Sequence, residues 1–362
     1  MGTTERVRIK DIAELSGVSV GTVDRVLHNR PSVSPKARKK VEEALEKMNY
    51  KPNVYASALA MNRQYKFYLI LPQHDHQAYW QEIEEGAEKA TLDRSDFQIS
   101  LETFYYNRYD SNSFTKLVRT KLNGNPDGVI LVPSDIDTTR RYTEELHENN
   151  IPFILLDSYM PDLKPLSFYG LDSFNSGYFA AKMFMMLYSM TLGKSKSKDI
   201  MLMRQVVHGR VASKQQTNRE EGFRHYIIDH FPKINIIDFE LNEEKSEKET
   251  TELLEAFFKK HPDVHHCITF CSKAYIIGEY LLKGNRRNIH VMGYDMVTRN
   301  ETCVKQGSID FIIAQHAYRQ GYYCIKTLFD AVVLQQSVKA INYMPIVLLC
   351  KENADFYQRT EL

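Results

Sequence analysis

Ile9-Lys-Asp-Ile-Ala-Glu-Leu-Ser-Gly-Val-Ser-Val-Gly-Thr-Val-Asp-Arg-Val-Leu27 is the stretch that decides how the rest of the chain is read. Ile9, Ile12, Ala13 and Leu15 recur at helical spacing and mark one buried face. Gly17 permits the tight turn of a helix-turn-helix, because a residue without Cβ meets no steric cost at positive φ. Ser19 is placed to cap a second helix whose inner face is Val23, Val26 and Leu27. A third helix opens at Ser34 with Pro35 in its first position and buries Ala37, Val41, Ala44, Leu45 and Met48. Lys51-Pro52 breaks it, and Asn53 caps a short, small-residue helix reaching Ala60. One turn pattern alone is a weak signal. Two elements of this kind in tandem, ahead of a long α/β chain, point strongly to DNA.

The chain has 362 residues, 43% of them hydrophobic and 26% charged, which fits two or three ordinary globular domains. No apolar run approaches the roughly 18 residues of a membrane helix, since the most apolar stretch, Tyr178 to Met190, contains Lys182. The charged N-terminus does not read as a secretory signal, so no membrane partner and a cytoplasmic location are expected. Residues 1–63 carry 12 Lys+Arg against 7 Asp+Glu, and the rest carry 35 against 39. A basic head on a slightly acidic body suits a chain in which only the head meets phosphate. The five cysteines read as buried free thiols.

From Tyr65 onward, buried strands alternate with amphipathic helices. Strands are expected at Phe67 to Leu71, Ile99 to Phe104, Val129 to Val132 and Phe153 to Leu156, and again at Ile200 to Met203, Ile234 to Phe239, His266 to Phe270 and Ile289 to Met292. Helices near 80–92, 111–122, 138–149, 174–190, 216–230, 248–260 and 273–284 separate them. Two rounds of four strands imply two α/β lobes, each a doubly wound parallel sheet. Left-over strands near Ile309 to Ile313 and Met344 to Leu349, with a helix near 317–335, imply that the chain crosses back between lobes. The expected division is an all-helical DNA-binding head at 1–50, a hinge helix and linker at 51–64, and an effector domain at 65–362. Lobe 1 is placed at about 65–162 and 316–338, lobe 2 at about 163–315 and 339–362.

Asp11-Ile-Ala, Ser16-Gly-Val-Ser19, Thr22-Val23, Arg25-Val26-Leu27, Val33-Ser34, Arg38, Val41 and Asn49-Tyr50-Lys-Pro-Asn53 resemble the LacI/GalR repressors, and Ala56, Leu59 and Ala60 match that family's hinge helix. The body is similar to the family's periplasmic-binding-protein-like effector domain at Asp127-Gly-Val-Ile-Leu, Gly293-Tyr-Asp295 and Ile313-Ala-Gln315. The resemblance covers essentially the full length. It implies a repressor acting as a homodimer on a pseudo-palindromic DNA operator and released or engaged by a small ligand.

In a helix-turn-helix the second helix enters the major groove with its N-terminal residues at the base edges. These are Val20 and Gly21, with Arg25 one turn on, where a guanidinium bonds guanine bidentately. Ser19, Thr22, Ser34 and Asn53 are candidate phosphate contacts. The resemblance makes Leu59, beside Ala56, a minor-groove wedge, a role in which an apolar side chain unstacks a base step. A helix this short is marginal alone, so it is expected to order only on DNA and beside its dimer partner. Asp24 stands where the family usually has Ser, and its charge opposes DNA unless a neighbour such as Arg25 or Lys36 neutralises it.

For the ligand, Tyr79-Trp80 after the first strand match the position of stacking aromatics in sugar-binding relatives. Asp135, Asp295 and Gln315 follow strands, and Arg219 resembles the Arg of the ribose-binding group; Ser272 and Asp157 are weaker candidates. Carboxyl ends of strands are where open α/β sheets bind ligands. The effector is read as a saccharide or sugar derivative; the alternative keeps the same head with a nucleoside, purine or protein effector, or an activating role. A metal site from His265-His-Cys267, Cys271, His74 and His76 is disfavoured, because alternation in a strand points His266 and Cys267 to opposite faces. No nucleophile elbow, phosphate loop or HExxH motif is present, so neither catalysis nor a cofactor is expected.

Overall fold

The computed structural model describes residues 7–27, 30–50, 54–74, 79–122, 124–191, 198–207, 209–211, 213–242, 245–284 and 288–357. The chain divides into two compact units, Met1–Arg63 and Gln64–Leu362. In the first, α1 (Ile9–Ser16), α2 (Val20–Leu27) and α3 (Pro35–Lys47) close on a small core of Ile12, Ala13, Val23, Val26, Val41 and Ala44. Gly17 turns the chain between α1 and α2 at φ 64°. Ser34 caps α3, its Oγ accepting from the Ala37 amide at 3.3 Å.

Leu15 departs from expectation: it is 50% exposed, and Ser16 is buried instead. Positions 9, 12, 13 and 16 form the i, i+3, i+4, i+7 stripe, and Leu15 lies off it. Burying a hydroxyl there is tolerated because Ser16 Oγ donates to the Ile12 carbonyl at 2.6 Å. A fourth helix, α4 (Val54–Ala60), follows. Its proposed cap, Asn53, lies outside the described residues.

The second unit holds two sheets. In lobe 1, β1 (Tyr65–Pro72), α5 (Tyr79–Leu92), β2 (Ile99–Tyr106), α6 (Ser111–Lys121), β3 (Gly128–Leu131), α7 (Ile136–Glu148), β4 (Phe153–Leu156) and β5 (Ser167–Gly170) follow in order. In lobe 2 the order is α8 (Ser173–Thr191), β6 (Asp199–Val207), β7 (Arg210–Val211), α9 (Lys214–His230), β8 (Asn235–Asn242), α10 (Glu247–Lys260), β9 (His266–Thr269), α11 (Tyr275–Lys283), β10 (His290–Tyr294), α12 (Thr298–Gln306) and β11 (Phe311–Ala314). The chain then returns to lobe 1 with α13 (Ala317–Leu328) and β12 (Ile341–Tyr343), and ends in lobe 2 with β13 (Val347–Leu349). The sheet of lobe 1 runs β12-β5-β4-β3-β1-β2, all parallel. That of lobe 2 places β8 and β9 on β6, then β10 and β11, with β7 and β13 antiparallel at its margins. Both lobes therefore repeat the 2-1-3-4-5 strand order, whose switch point lies beside the first strand.

The lobe boundaries shift accordingly. β5 carries lobe 1 to Gly170, eight residues beyond its expected end at 162, and β12 belongs to lobe 1 although 339–362 is expected in lobe 2. Ser167-Phe-Tyr-Gly170 and the edge strand Ile341-Asn-Tyr343 lack the continuous apolar run by which the equally short β3 and β4 are read from sequence. The two lobes are joined by three crossings, at Leu171–Asp172, Gln315–His316 and 344–346.

The same helix contact is built twice. In lobe 1, Gly86 of α5 faces the Tyr318 carbonyl and Gly321 of α13 faces the Ile83 carbonyl. In lobe 2, Gly177 of α8 faces the Arg219 carbonyl and Gly222 of α9 faces the Phe174 carbonyl. In each pair a Cβ would overlap the opposing backbone, so glycine sets how closely the helices approach. This crossing fixes α9, and with it Arg219.

At the far end of lobe 2, His266 is buried and stacked on His290, ring centroids 5.2 Å apart. Burial, reinforced by His290 and His265, pushes its imidazole down to about 4. In the unfolded chain it titrates near about 6.5. The unfolded state therefore takes up the proton first as pH falls, and the stability held above about pH 6.5 is lost on the way to about 4. The thermal midpoint should drop across that window, and less steeply in His266→Gln; equal slopes would contradict the assignment.

Candidate functional site

The carboxyl ends of the strands in both lobes face a cavity of about 410 Å³. Lobe 1 contributes Gln73 and His74 after β1, Tyr79 and Trp80 at the start of α5, Asn107 to Tyr109 after β2, and Asp157 after β4. Lobe 2 contributes Gln205 at the end of β6, Gln215 and Arg219 on α9, Phe270 to Lys273 after β9, and Asp295 after β10. Gln315 lines the cavity from a crossing segment. Asp157 at φ 71° and Asp295 at φ 66° hold left-handed backbone, a strained conformation for residues with a Cβ. Asn300 is fully buried with its amide within 3.0 Å of the carbonyls of Ser272, Tyr294 and Asp295, which fixes this turn.

A closed ring of hydrogen bonds spans the two lobes. Arg219 Nη2 donates to Gln215 Oε1 at 2.9 Å and to Gln315 Oε1 at 2.7 Å, while Nη1 donates to the Phe270 carbonyl at 3.0 Å. Gln215 Nε2 crosses to the Asp157 carbonyl of lobe 1. Tyr79 donates its hydroxyl to Asp157 Oδ1 at 3.3 Å and accepts from Gln320 Nε2 at 3.1 Å. Gln320 Nε2 also reaches the Gln315 carbonyl at 2.8 Å, which closes the ring. Gln315 Nε2 meanwhile donates to Asp295 Oδ1. A further bridge joins Gln205 Nε2 to Tyr109 Oη at 3.4 Å. One polar circuit thus includes both lobes and a segment joining them.

Burial dominates the electrostatics. It pushes the Asp157 carboxyl up to about 6 against the pull of Arg219 and Arg108, and it raises Asp295 against Arg219 and Gln315. Arg219 lies over the Tyr294 ring at 4.4 Å. The cleft thus offers carboxylates and amide oxygens to ligand hydroxyls, guanidinium donors to ligand oxygens, and Trp80 as an aromatic wall.

Of the ligand residues expected from sequence, Tyr79, Trp80, Arg219, Ser272, Asp295 and Gln315 are brought together here, and so is Asp157. Asp135 is not. It is exposed, and its carboxylate accepts from the Thr138 amide at 2.8 Å as the cap of α7. A carboxylate at a helix N-terminus is stabilised by the free amides and the helix dipole, and Asp135 carries that structural role. Sequence reasoning missed Asn107, Arg108, Tyr109, Gln205, Gln215 and Gln320. Those after β2 obey the strand-end rule used for Asp295, whereas Gln215 and Gln320 sit on helices with no comparable signal.

On the head, Val20 is 45% exposed at the start of α2, and Arg25 is exposed further along the helix. Ser19 Oγ accepts from the Thr22 amide at 3.2 Å and lies 2.9 Å from Thr22 Oγ1, so the two hydroxyls are held together at the helix start beside Gly21. Ser34 Oγ accepts from an amide, which leaves its O–H able to donate. Ala56 is exposed on α4, as is Leu59 at 46%. Asp24 pairs with Arg30 at 3.6 Å, a neighbour other than the two named for it from sequence. Among the described residues, no group of three or more His, Cys, Asp or Glu is placed to hold a metal, and no helix is long and apolar enough to cross a membrane.

The family model described as bacterial regulatory proteins, lacI family, matches residues 8–53, and that of the periplasmic binding protein domain matches residues 67–336. A crystal structure of a putative LacI transcriptional regulator from Bacteroides fragilis is 40% identical, covers 82% of this chain and all of its own, and superposes with TM-score 0.77. The chain belongs to the LacI family of bacterial regulatory proteins. The fold of the body is shared more widely: GanP, a glucose-galactose binding protein from Geobacillus stearothermophilus, has the same fold at 19% identity and TM-score 0.65, over 80% of this chain and 99% of its own. Among family regulators, DegA of Bacillus subtilis (strain 168) is 28% identical over 222 residues, which is 60% of this chain and 60% of DegA. Catabolite control protein A of Priestia megaterium is 31% identical over 155 residues, 42% of this chain and 44% of its own. The aligned stretch thus spans less than two thirds of these two relatives.

Proposed function

We propose that this LacI-family chain is a sequence-specific DNA-binding transcriptional repressor whose operator affinity is set by a saccharide or sugar derivative held between the lobes. The observation that carries the ligand half is the closed ring through Arg219, Gln315 and Asp157, a set of fixed donors and acceptors suited to vicinal hydroxyls. The DNA half rests on Val20 and Arg25, exposed on α2. With one reading helix per chain, the working unit is a homodimer on a pseudo-palindrome. Leu59, half exposed on α4, is the wedge, and ligand-driven motion of the lobes changes how paired α4 helices meet the minor groove.

Operator selection followed by footprinting tests this reading. Two symmetric half-sites are expected, and Arg25→Ala should cost about 1–3 kcal/mol on the selected site by relaxing one position in each half. Added ligand should then shift operator affinity. An asymmetric site bound by a monomer, or an Arg25→Ala protein with unchanged sequence preference, would overturn the DNA half. Response to nucleosides and to no saccharide would overturn the sugar reading.

A further inference from the structure

Asn300, the third residue of α12, is fully buried behind the cleft and does not line the cavity. Four main-chain groups converge on its carboxamide. Nδ2 lies 2.7 Å from the Asp295 carbonyl and 3.0 Å from those of Ser272 and Tyr294, and Oδ1 accepts from the Tyr275 amide at 2.7 Å. A carboxamide matches this set because it donates at one end and accepts at the other, whereas a carboxylate has no donor for the three carbonyls. The flipped orientation would set oxygen against those carbonyls, so the partners fix which end is nitrogen.

Every partner belongs to the lobe 2 side of the cleft. Ser272 and Asp295 line the cavity, Tyr294 carries the ring under Arg219, and Tyr275 opens α11. Asp295 donates its amide to the Ile313 carbonyl at 2.9 Å and accepts from Gln315 at its carboxylate. Its left-handed backbone, at φ 66°, persists only where surrounding bonds over-determine it. Asn300 supplies the hold on the carbonyl side. One buried side chain thereby ties the segment after β9 to the segment after β10.

We propose that Asn300 is a positioning residue for the effector. Without touching the ligand, it holds Ser272, Asp295 and the Tyr294 ring under Arg219 in one arrangement, and effector affinity depends on that arrangement. The proposal rests on the reading of the cleft as the effector site. A binding group must be held within about 0.5 Å of its productive place by the bonds behind it, and Asn300 supplies those bonds for lobe 2. A buried residue of purely structural worth would lower stability when replaced and leave the affinity of the folded protein unchanged.

Asn300→Asp keeps the shape and the acceptor for Tyr275 and removes the donors; Asn300→Ser keeps one short hydroxyl. Trp80, the only tryptophan, lines the cavity from lobe 1, so its fluorescence reports occupancy. The full chain is titrated with D-glucose, D-galactose, D-ribose and adenosine, and the tightest binder is carried to both variants, well below their thermal midpoints. Each variant should bind it about tenfold or more weakly, with affinity for the selected operator unchanged in the absence of ligand. Added to Asp295→Ala, the Asn300 substitution should cost little more, because residues that act through one another are not additive. Amide hydrogen exchange of the ligand-free chain reads the same tie without a probe: residues 271–276 and 294–300 should lose protection together in Asn300→Ser, while β6 keeps it. Wild-type affinity in a folded variant, full additivity with Asp295→Ala, or unchanged exchange in the two segments would each overturn the proposal. A chain that binds adenosine and none of the sugars overturns the saccharide reading, and adenosine then serves as the probe for Asn300. If no probe binds, exchange alone decides.

Discussion

Arg219→Met should abolish measurable effector binding and lower unfolding stability by about 3–5 kcal/mol, the range for removing one member of a buried charged cluster. The methionine keeps most of the aliphatic stem, so the loss isolates the guanidinium. Without it, Gln215 Oε1, Gln315 Oε1 and the Phe270 carbonyl each lose a donor in a buried site. Asp157 and Asp295 lose their nearest named counter-charge, and both carboxyls should rise further. The sign of the pH effect follows. Asp157, already raised to about 6, binds its proton more tightly folded than unfolded, so its contribution is full below about pH 4 and is lost as pH rises through about 6. In Arg219→Met that loss should extend to higher pH and make the protein weaker near neutrality than in mild acid. Denaturant unfolding at several pH values, with titration of the best ligand, provides the check. A destabilisation under about 1 kcal/mol with ligand binding retained would remove Arg219 from the centre of the site.

Gly86→Val is expected to have the largest effect on folding. The new side chain on α5 points at the Tyr318 carbonyl and the Tyr322 amide of α13, both rigid helix backbone. No rotamer change relieves a clash at Cβ, so the helices must move apart. Overpacking of this kind costs about 1–3 kcal/mol where side chains give way, and more where only backbone can move. Separation also carries Tyr79 on α5 away from Gln320 on α13, which opens the ring in the cleft. The expected result is a large fall in thermal midpoint together with weakened ligand binding. Gly86→Ala should fail in the same direction by a smaller margin, because its Cβ meets the same carbonyl. A wild-type midpoint in Gly86→Val would mean that α5 and α13 do not pack as closely as described.

Much of the molecule was legible from residue pattern, and the failures share a cause. The head followed from short-range chemistry: Gly17 at positive φ, Ser19 and Ser34 capping their helices, Val23, Val26 and Val41 at helical spacing. Leu15 was misjudged because one apolar residue beside a stripe resembles one within it. In the body, long strands such as β1 and β6 declared themselves, whereas β5 and β12 are strands only because a neighbouring strand completes their hydrogen bonds. That information is absent from Ser167-Phe-Tyr-Gly170 and Ile341-Asn-Tyr343, which lack the apolar run that marks the equally short β3 and β4.

The site divides along the same line. Asp295 and Asp135 are both acidic residues just beyond a buried strand, and sequence gives them equal standing. The tertiary fold separates them: Asp295 is held in a strained turn at the cleft, with Asn300 fixing its carbonyl, and Asp135 is spent on the first amides of α7. Gln215 and Gln320 look like ordinary helix residues until the glycine-mediated crossings bring their helices to the cleft wall. The helix-turn-helix motif of residues 9–27 and the alternation of strands and helices were therefore fixed by the chain alone, because capping, turn geometry and hydrophobic period act over a few residues. Which polar side chains form one ring, and which lobe owns β5 and β12, depended on contacts between residues far apart in sequence. Such contacts exist only once both sheets are assembled.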